Sequence, residues 1–382
     1  MKIAVCIPSL NEKDNIKNIT QIIDQGLVDL ISIYPDAQTE IINFDSNSSD
    51  GTPDIFISTE TKSSKRSEII KNAAGKGKNI IEFCRYAVEN NIDYCLTIDS
   101  DIISATSDWV IKLIKPLINN DADYVTPIYE RSRFEGSSTN HFTYPLVYAF
   151  TGNVIRQPIA GDFAFTKKIA LAIYENKIHE NKSIQRYGID IFMTLTAISV
   201  SGKIYQVDLG KKIHSPSFNK LEYMFPQIAS SFLLTVSSVN FIHKNISEVT
   251  TKSNILSNLQ FLHKKSAQEM KNNALTILNA VSGLEWADLD LLLRYKKTFS
   301  MMSMDENEMM DLWTSILSSW INYFSKLNLT PSLAKKAGDE LLPFFVLRAT
   351  NFWLWAETVE VSKVELAIRK QSEVLKEKLN NI

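Results

Sequence analysis

The sequence predicts an α/β domain, built on a mostly parallel sheet flanked by helices, followed by an α-helical C-terminal region. Three observations predict it. Short β-rich runs alternate with segments of helical periodicity over about residues 1–130. Polar turns rich in Asp, Ser and Gly follow those runs at their carboxyl ends. Strand signals then nearly vanish after about Pro216, where long helix-period segments take over.

The elements follow in order. Lys2–Ile7 is a short β-rich run. Glu12–Leu30 carries Ile16, Ile19, Ile22 and Ile23 at helical spacing, with Asn11 as the expected N-cap. Glu40–Phe44 is a second strand, Asn79–Glu89 an amphipathic helix and Tyr94–Ile98 a third strand. Ser107–Lys115 reads as a helix capped by Ser107, and Tyr124–Ile128 as another strand. Between them, Ser58–Lys78 is rich in Ser, Thr and Lys, and its first part is expected to be a mobile loop. Beyond Pro216, Ile255–Met270, Ala287–Lys297, Glu306–Phe324 and Leu333–Glu357 have helical periodicity. Ser362–Asn381 alternates charge along a helix, the pattern of a solvated face. The expected division is 1–216 and 217–382.

Composition narrows the function classes. At 382 residues and 45% hydrophobic, the chain can bury a sizeable core. A net charge of −2 argues against a nucleic-acid binder held by bulk electrostatics. The three cysteines, Cys6, Cys84 and Cys95, are far apart and lack metal-ligand spacing. Disulfides and a zinc site are therefore not expected, and a reducing cytoplasm fits. No signal-peptide pattern opens the chain, since the first apolar run is short and ends in Pro8. The charge-free stretch Tyr223–Ile242 contains Pro226, Gln227 and Asn240, and reads as a buried helix rather than a membrane span.

Four segments carry candidate chemistry. Tyr94–Ile98 runs into Asp99-Ser100-Asp101. Carboxylates at i and i+2 of an extended chain point the same way, toward one hard cation at the edge where open sheets bind ligands. Alone, this pattern is equally a capped turn. Pro8-Ser9-Leu10-Asn11-Glu12 follows the first strand, so a base can lie against Pro8 and Leu10 while Glu12 takes its hydrogen bonds. Asp45-Ser46-Asn47-Ser48-Ser49-Asp50-Gly51-Thr52 offers carboxylates and hydroxyls to a ribose or base, and is equally a plain turn with a helix cap. Gly75-Lys76-Gly77-Lys78 precedes a helix: glycines allow close backbone approach to a ligand, and Lys76 can meet a diphosphate, although on its own the segment reads more readily as a solvated turn. No P-loop is present.

The order of these four segments resembles the nucleotide-sugar domain of GT-A glycosyltransferases over roughly residues 1–130. A narrower resemblance extends to His214. Gln157-Pro158-Ile159-Ala160-Gly161 resembles the Gln-Pro-x-Gly/Ala-Gly motif of the retaining glucosyl-3-phosphoglycerate, mannosylglycerate and glucosylglycerate synthase group. Gly188-Ile189-Asp190 resembles that group's Gly-Ile/Val-Asp/Glu segment, and Asp208–His214 its strand ending in a metal-binding histidine.

The resemblance implies roles. Pro8, Leu10 and Glu12 would contact the base, with Asp45 and Ser46 nearby; Lys76 would reach the phosphates. Asp99, with Ser100 beside it, would bind the ribose or sugar. Asp101 and His214 would hold a divalent cation, Mg²⁺ or Mn²⁺. Asp190 would hold sugar hydroxyls, and the backbone at Ile159 and Ala160 would lie against the reacting carbon. Residues 1–216 would form the catalytic domain, with the nucleotide-sugar part at about 1–130 and the acceptor part at about 131–216. Arg131 and the loop Gly136-Ser137-Ser138-Thr139 would hold the acceptor. Relatives that use 3-phosphoglycerate carry Gly-Arg-x-Thr in that loop; here Ser137 replaces the Arg. The expected acceptor is therefore an unphosphorylated hydroxy acid such as D-glycerate, with a UDP- or GDP-hexose as donor.

A homodimer, with no membrane span and no nucleic-acid partner, is the expected assembly. The Trp313, Trp320, Trp353 and Trp355 aromatics are expected in packing rather than sugar stacking. Four alternatives stay open: a glucosyl-3-phosphoglycerate synthase, an inverting GT-A transferase acting on a glycan or lipid-linked acceptor, a nucleotidyltransferase, and a non-catalytic sugar or nucleotide binder. The sequence does not choose guanine over uracil or glucose over mannose.

Overall fold

A computed structural model describes residues 1–71, 75–200, 202–213, 220–239, 255–257, 264–300 and 305–380. The elements are β1 (Lys2–Ser9), α1 (Ile16–Ile33), β2 (Gln38–Asp45), α2 (Thr52–Ser58), β3 (Ser64–Ile69), α3 (Lys76–Glu89), β4 (Tyr94–Thr97), α4 (Asp108–Ile118) and β5 (Tyr124–Ser132). A π-helical turn (Thr139–Thr143), α5 (Tyr144–Thr151), β6 (Phe163–Thr166), α6 (Lys167–Glu175), a 3₁₀ turn (Lys177–Glu180), α7 (Ile189–Ser199) and β7 (Ile204–Lys211) follow. The chain continues with α8 (Leu221–Ser238), β8 (Leu256–Ser257), α9 (Lys264–Ala280), α10 (Leu289–Ser300), α11 (Glu306–Phe324), α12 (Pro331–Glu357) and α13 (Val361–Asn380).

Two compact units divide these elements. The first takes in Met1–Tyr129 and the described residues of Gln157–Phe218; the second takes in Glu130–Arg156 and most of the chain after Asn219. The strand order is β3-β2-β1-β4-β6-β5-β7. β1 pairs in parallel with β2 and β4, and β2 with β3, while β6 runs antiparallel between β4 and β5. β1 is buried from Ile3 to Ser9, as a central strand covered on both faces must be. The mostly parallel α/β unit and the helical C-terminal region agree with the sequence reading.

Parallel register sets the functional edge. Ser9 faces Asp45 across β1 and β2, and Cys6 faces Thr97 across β1 and β4. The turns that leave β1, β2 and β4 therefore emerge side by side at the carboxyl ends of the strands, where open α/β sheets bind ligands.

Several local readings are corrected. Ser64–Ile69 is a strand and not part of a mobile loop. It is an edge strand, held to β2 through its backbone, so its Ser, Lys, Arg and Glu side chains give no apolar signal. The first helix starts at Ile16 rather than Glu12. Asn11 instead sits at φ 57°, and its side chain accepts a hydrogen bond from the Ser49 N–H at 3.0 Å; Asn tolerates this left-handed conformation better than most residues. Ser107 does occupy the N-cap of α4, without a side-chain capping bond. Leu256 and Ser257, inside the segment expected to be helical from Ile255, pair with Arg131 and Ser132 as a short strand.

The second unit has its own aromatic core. Trp313 and Trp320 are fully buried, and their indole N–H groups donate to the carbonyls of His141 and Ala337 at 2.8 and 3.0 Å. Trp353 is also buried and Trp355 half-buried. The expected packing role fits all four. Arg348 is 0% exposed and donates to both oxygens of Glu306 at 2.8 and 2.5 Å, so its charge is neutralised where water does not reach. Among the described residues, no helix is long and apolar enough to cross a membrane. Cys6, Cys84 and Cys95 are free and buried.

Candidate active site

A charge cluster fills the first unit beyond the end of β4. Lys76, the first residue of α3, places its ammonium 2.7 Å from Asp99 Oδ1 and 3.4 Å from Asp190 Oδ1. The same ammonium donates to the Gly161 carbonyl at 3.2 Å. Burial works to lower the Lys76 pKa, but the Asp190 and Asp99 carboxylates outweigh it and hold the ammonium protonated well above the usual lysine range. Asp190 stands in the first turn of α7, where the helix dipole favours negative charge. Burial nevertheless pushes its pKa up, against the pull of Lys76. Apart from the Lys76 ammonium at 3.4 Å, its buried Oδ1 has no hydrogen-bond partner among the described residues.

Asp162 and Lys212 complete the cluster. Lys212 donates to Asp162 Oδ2 and to the Ala160 carbonyl, both at 2.8 Å, and lies 3.9 Å from Asp99 Oδ2. Asp162 is 0% exposed, accepts the Asp99 N–H at 2.9 Å, and takes the Tyr129 hydroxyl at 2.5 Å. Three carboxylates and two ammoniums are thus interleaved. The sequence reading named Lys76, Asp99 and Asp190 but gave Asp162 and Lys212 no role. The available signal was a lone carboxylate beside the apolar run Phe163–Phe165, since a charge entering a core needs a partner.

The Gln157–Gly161 segment is strapped to the sheet. The Gln157 side chain donates to the Tyr129 carbonyl at 2.7 Å and accepts the Tyr129 N–H at 3.3 Å. Thr194 of α7 donates to the Pro158 carbonyl at 2.7 Å. Ile159 is half-buried and Ala160 buried. Gly161 has φ +95°, and a Cβ there would stand 2.4 Å from Asp99 Oδ2, so neither the backbone nor the space admits a side chain.

The remaining first-unit residues sort by exposure. Leu10 is 51% exposed just past β1. Pro8 is buried, and its carbonyl accepts the Ser100 hydroxyl at 3.1 Å. Glu12 is half-buried and accepts the Asn15 side-chain amide at 2.9 Å. Asp45 is wholly buried and accepts the hydroxyls of Ser9 and Ser48 at 2.7 and 2.6 Å. Ser46 donates to Asn79 Oδ1 at 3.1 Å. Asp45 and Ser46 thus support the turn from within, while Leu10 presents its side chain outward.

Gly77 corrects another expectation. A Cβ on it would lie 2.0 Å from the Ile184 carbonyl oxygen, so the glycine admits a neighbouring segment of the chain rather than a ligand. The carboxylate pair also differs from the extended-chain reading. β4 ends at Thr97, and Ser100 and Asp101 form a turn, so the i, i+2 rule does not apply. Asp99 is committed to Lys76, whereas Asp101 is half-buried and makes no hydrogen bond or ion pair among the described residues.

His214 lies outside the described residues, but the chain just before it is placed. The Ile103 N–H donates to the Ile213 carbonyl at 2.9 Å, and the Ile213 N–H donates to Ser104 Oγ at 2.8 Å. The end of β7 is thereby tied to the turn that carries Asp101. Among the described residues, no three His, Cys, Asp or Glu side chains converge as a metal cluster. One uncommitted carboxylate, with an imidazole and diphosphate oxygens, fits a hard six-coordinate cation such as Mg²⁺ or Mn²⁺.

Arg131 and the Gly136–Thr139 loop belong to the second unit. Arg131 is half-buried, and its N–H donates to the Ile255 carbonyl at 2.9 Å. Ser137, Ser138 and Thr139 are buried, and Gly136 is half-buried. The loop leads directly into the π-helical turn, a form that often marks functional sites.

Residues 4–172 match the profile of glycosyl transferase family 2. The chain is thus similar to family 2 glycosyltransferases over less than half of its length. Its architecture is of the GT-A type, a mostly parallel sheet flanked by helices, with the helices α9–α13 following it. Among solved structures, the chain is similar to glucosyl-3-phosphoglycerate synthase from Mycobacterium tuberculosis in complex with Mg²⁺ and uridine diphosphate. That likeness has 23% identity over 61% of this chain and 79% of the other, with a TM-score of 0.48. The same synthase with Mn²⁺, UDP-glucose and phosphoglyceric acid matches at 24% identity over 63% and 81% of the two chains, with a TM-score of 0.47. No curated protein matches the sequence.

Proposed function

We propose that this protein is a glycosyltransferase, a metal-dependent, retaining hexosyltransferase. It moves a hexose from a UDP- or GDP-hexose to a small hydroxy acid, D-glycerate, and so makes a glycosylglycerate. The observation that carries the reading is the Lys76 ammonium between Asp99 and Asp190 at the carboxyl edge of the sheet, at 2.7 and 3.4 Å. A cation and paired carboxylates at that edge suit a diphosphate joined to a polyhydroxyl ring.

Each side chain then has a task. Leu10 and Pro8 lie against the base, and Glu12 accepts its hydrogen bonds. Lys76 turns toward the diphosphate, and Asp99 takes a hydroxyl of the sugar or ribose. Asp190 Oδ1, held only by the Lys76 ammonium at 3.4 Å, accepts a sugar hydroxyl. Asp101 and His214 would hold Mg²⁺ or Mn²⁺, which when bound neutralises charge developing on the leaving diphosphate. Ile159 and Ala160 line the reacting face, where the acceptor hydroxyl attacks from the leaving-group side and a phosphate oxygen takes its proton. Arg131 and the Gly136–Thr139 loop take the acceptor's carboxylate, and Ser137 in place of arginine favours an unphosphorylated acid.

The test is direct. The protein is incubated with Mg²⁺, a panel of UDP- and GDP-hexoses, and D-glycerate, and products are identified by mass and NMR. A glycosylglycerate with the donor's anomeric configuration is expected. An inverted product would remove the retaining mechanism, and no transfer to any hydroxy acid would remove the assignment.

A further inference from the structure

We infer that Lys212 is a positioning residue that sets where the Ala160–Gly161 backbone and Asp99 stand relative to the bound sugar. The inference rests on the proposed transfer, in which that backbone lines the reacting carbon.

Lys212 sits at the end of β7 with a side chain only 4% exposed. Its ammonium makes two 2.8 Å hydrogen bonds, one to the Ala160 carbonyl and one to Asp162 Oδ2. It also lies 4.8 Å from the centre of the Tyr129 ring, within range of cation–π attraction. Asp162 in turn accepts the Asp99 N–H and the Tyr129 hydroxyl. One buried ion pair therefore ties three things together: the backbone of Asp99, the carbonyl of Ala160 and strand β5 through Tyr129.

Two features make the tie directional. Successive carbonyls, Ala160 and Gly161, each face a different ammonium, Lys212 and Lys76. This fixes both peptide planes of the segment. Gly161 then lies so close that a Cβ would meet Asp99 Oδ2 at 2.4 Å and Lys212 Nζ at 3.3 Å. With no slack between them, a displaced Lys212 must displace the segment or Asp99. A buried ion pair adds little net stability over a well-packed apolar replacement. What it adds here is a fixed angle for two carbonyls and one carboxylate, which catalysis by orientation requires.

The experiment compares Lys212→Met, Lys212→Arg and Tyr129→Phe in the full chain. The readouts are steady-state kinetics and hydrogen–deuterium exchange of the 157–163 segment. Lys212→Met should lower kcat on the order of 100-fold, with KM for the nucleotide sugar within about threefold of wild type. Lys212→Arg should recover most of kcat, because the charge and donors return. Exchange in 157–163 should rise in Lys212→Met and Tyr129→Phe, with α1 unchanged.

Unchanged kcat and unchanged exchange would overturn the inference, as would equal loss of protection throughout the first unit. Tyr129→Phe removes only one hydroxyl and carries the exchange test if Lys212→Met does not fold. If wild-type protein transfers no hexose, the proposed reaction fails on its own. The exchange result still decides whether Lys212 holds the segment.

Discussion

The Lys76 ammonium stands 2.7 Å from the Asp99 carboxylate although the two residues come from different elements, the start of α3 and the turn beyond β4. Replacing Lys76 by Met removes the cation that also serves Asp190. Transfer should fall by about 10²–10³ in kcat/KM, the scale for losing one electrostatic stabiliser of a transition state. Steady-state kinetics check this, and a variant with wild-type kcat/KM would remove Lys76 from the donor site.

Burial disfavours the charged form of Asp190. Burial raises its pKa above the ordinary aspartate value, so the folded state binds its proton more tightly than the unfolded chain does. The sign follows from proton linkage: its contribution is most favourable below the unfolded pKa and is lost as pH rises through the folded one. Asp190→Asn should therefore be at least as stable as wild type at pH 7, with the advantage vanishing below about pH 4. It should also lose transfer. Melting curves across pH test the first part, and a variant that melts well below wild type at pH 7 would contradict it.

The second unit should weaken in acid. His141 is 1% exposed, its Nδ1 lies 3.3 Å from Gln371 Oε1, and its buried Nε2 has no hydrogen-bond partner among the described residues. Burial, and then the nearby Arg348 charge, hold its pKa well below the usual histidine value. The stability it contributes is complete above the unfolded pKa and is lost as pH falls, by up to about 1.4 kcal/mol per pH unit below about 6.5. Denaturation midpoints between pH 7.5 and 5.5 should fall more steeply for wild type than for His141→Gln. Parallel curves would show that His141 is not the group responsible.

How much of this was legible in the sequence depends on where each signal resides. β1 and β4 announce themselves because central parallel strands are apolar runs, and Asp99, Lys76 and Asp190 stand in motifs beside them. β3 does not, because its pairing is made by backbone and its side chains face water. Asp162 and Lys212 are 50 residues apart, and nothing local tells either that the other is its partner. The glycines of 75-Gly-Lys-Gly-77 suit a solvated turn or a close ligand, yet Gly77 is shaped by the Ile184 carbonyl, which only the fold brings there.

Ser137 should set acceptor choice. Without an arginine at that position, the extra phosphate of 3-phosphoglycerate lacks a charge-assisted partner worth about 1.5–3 kcal/mol. D-Glycerate should be preferred by about tenfold or more in kcat/KM. Equal or better turnover of 3-phosphoglycerate would reverse the acceptor assignment.

The most direct measurement is calorimetric titration of UDP- and GDP-hexoses into wild type and Asp101→Ala, with Mg²⁺ or with excess EDTA. One donor class should bind wild type in Mg²⁺ and bind weakly or not at all in EDTA. Asp101→Ala in Mg²⁺ should lose on the order of 100-fold in affinity while melting like wild type. Equally tight binding with and without the cation would contradict a diphosphate held through Asp101.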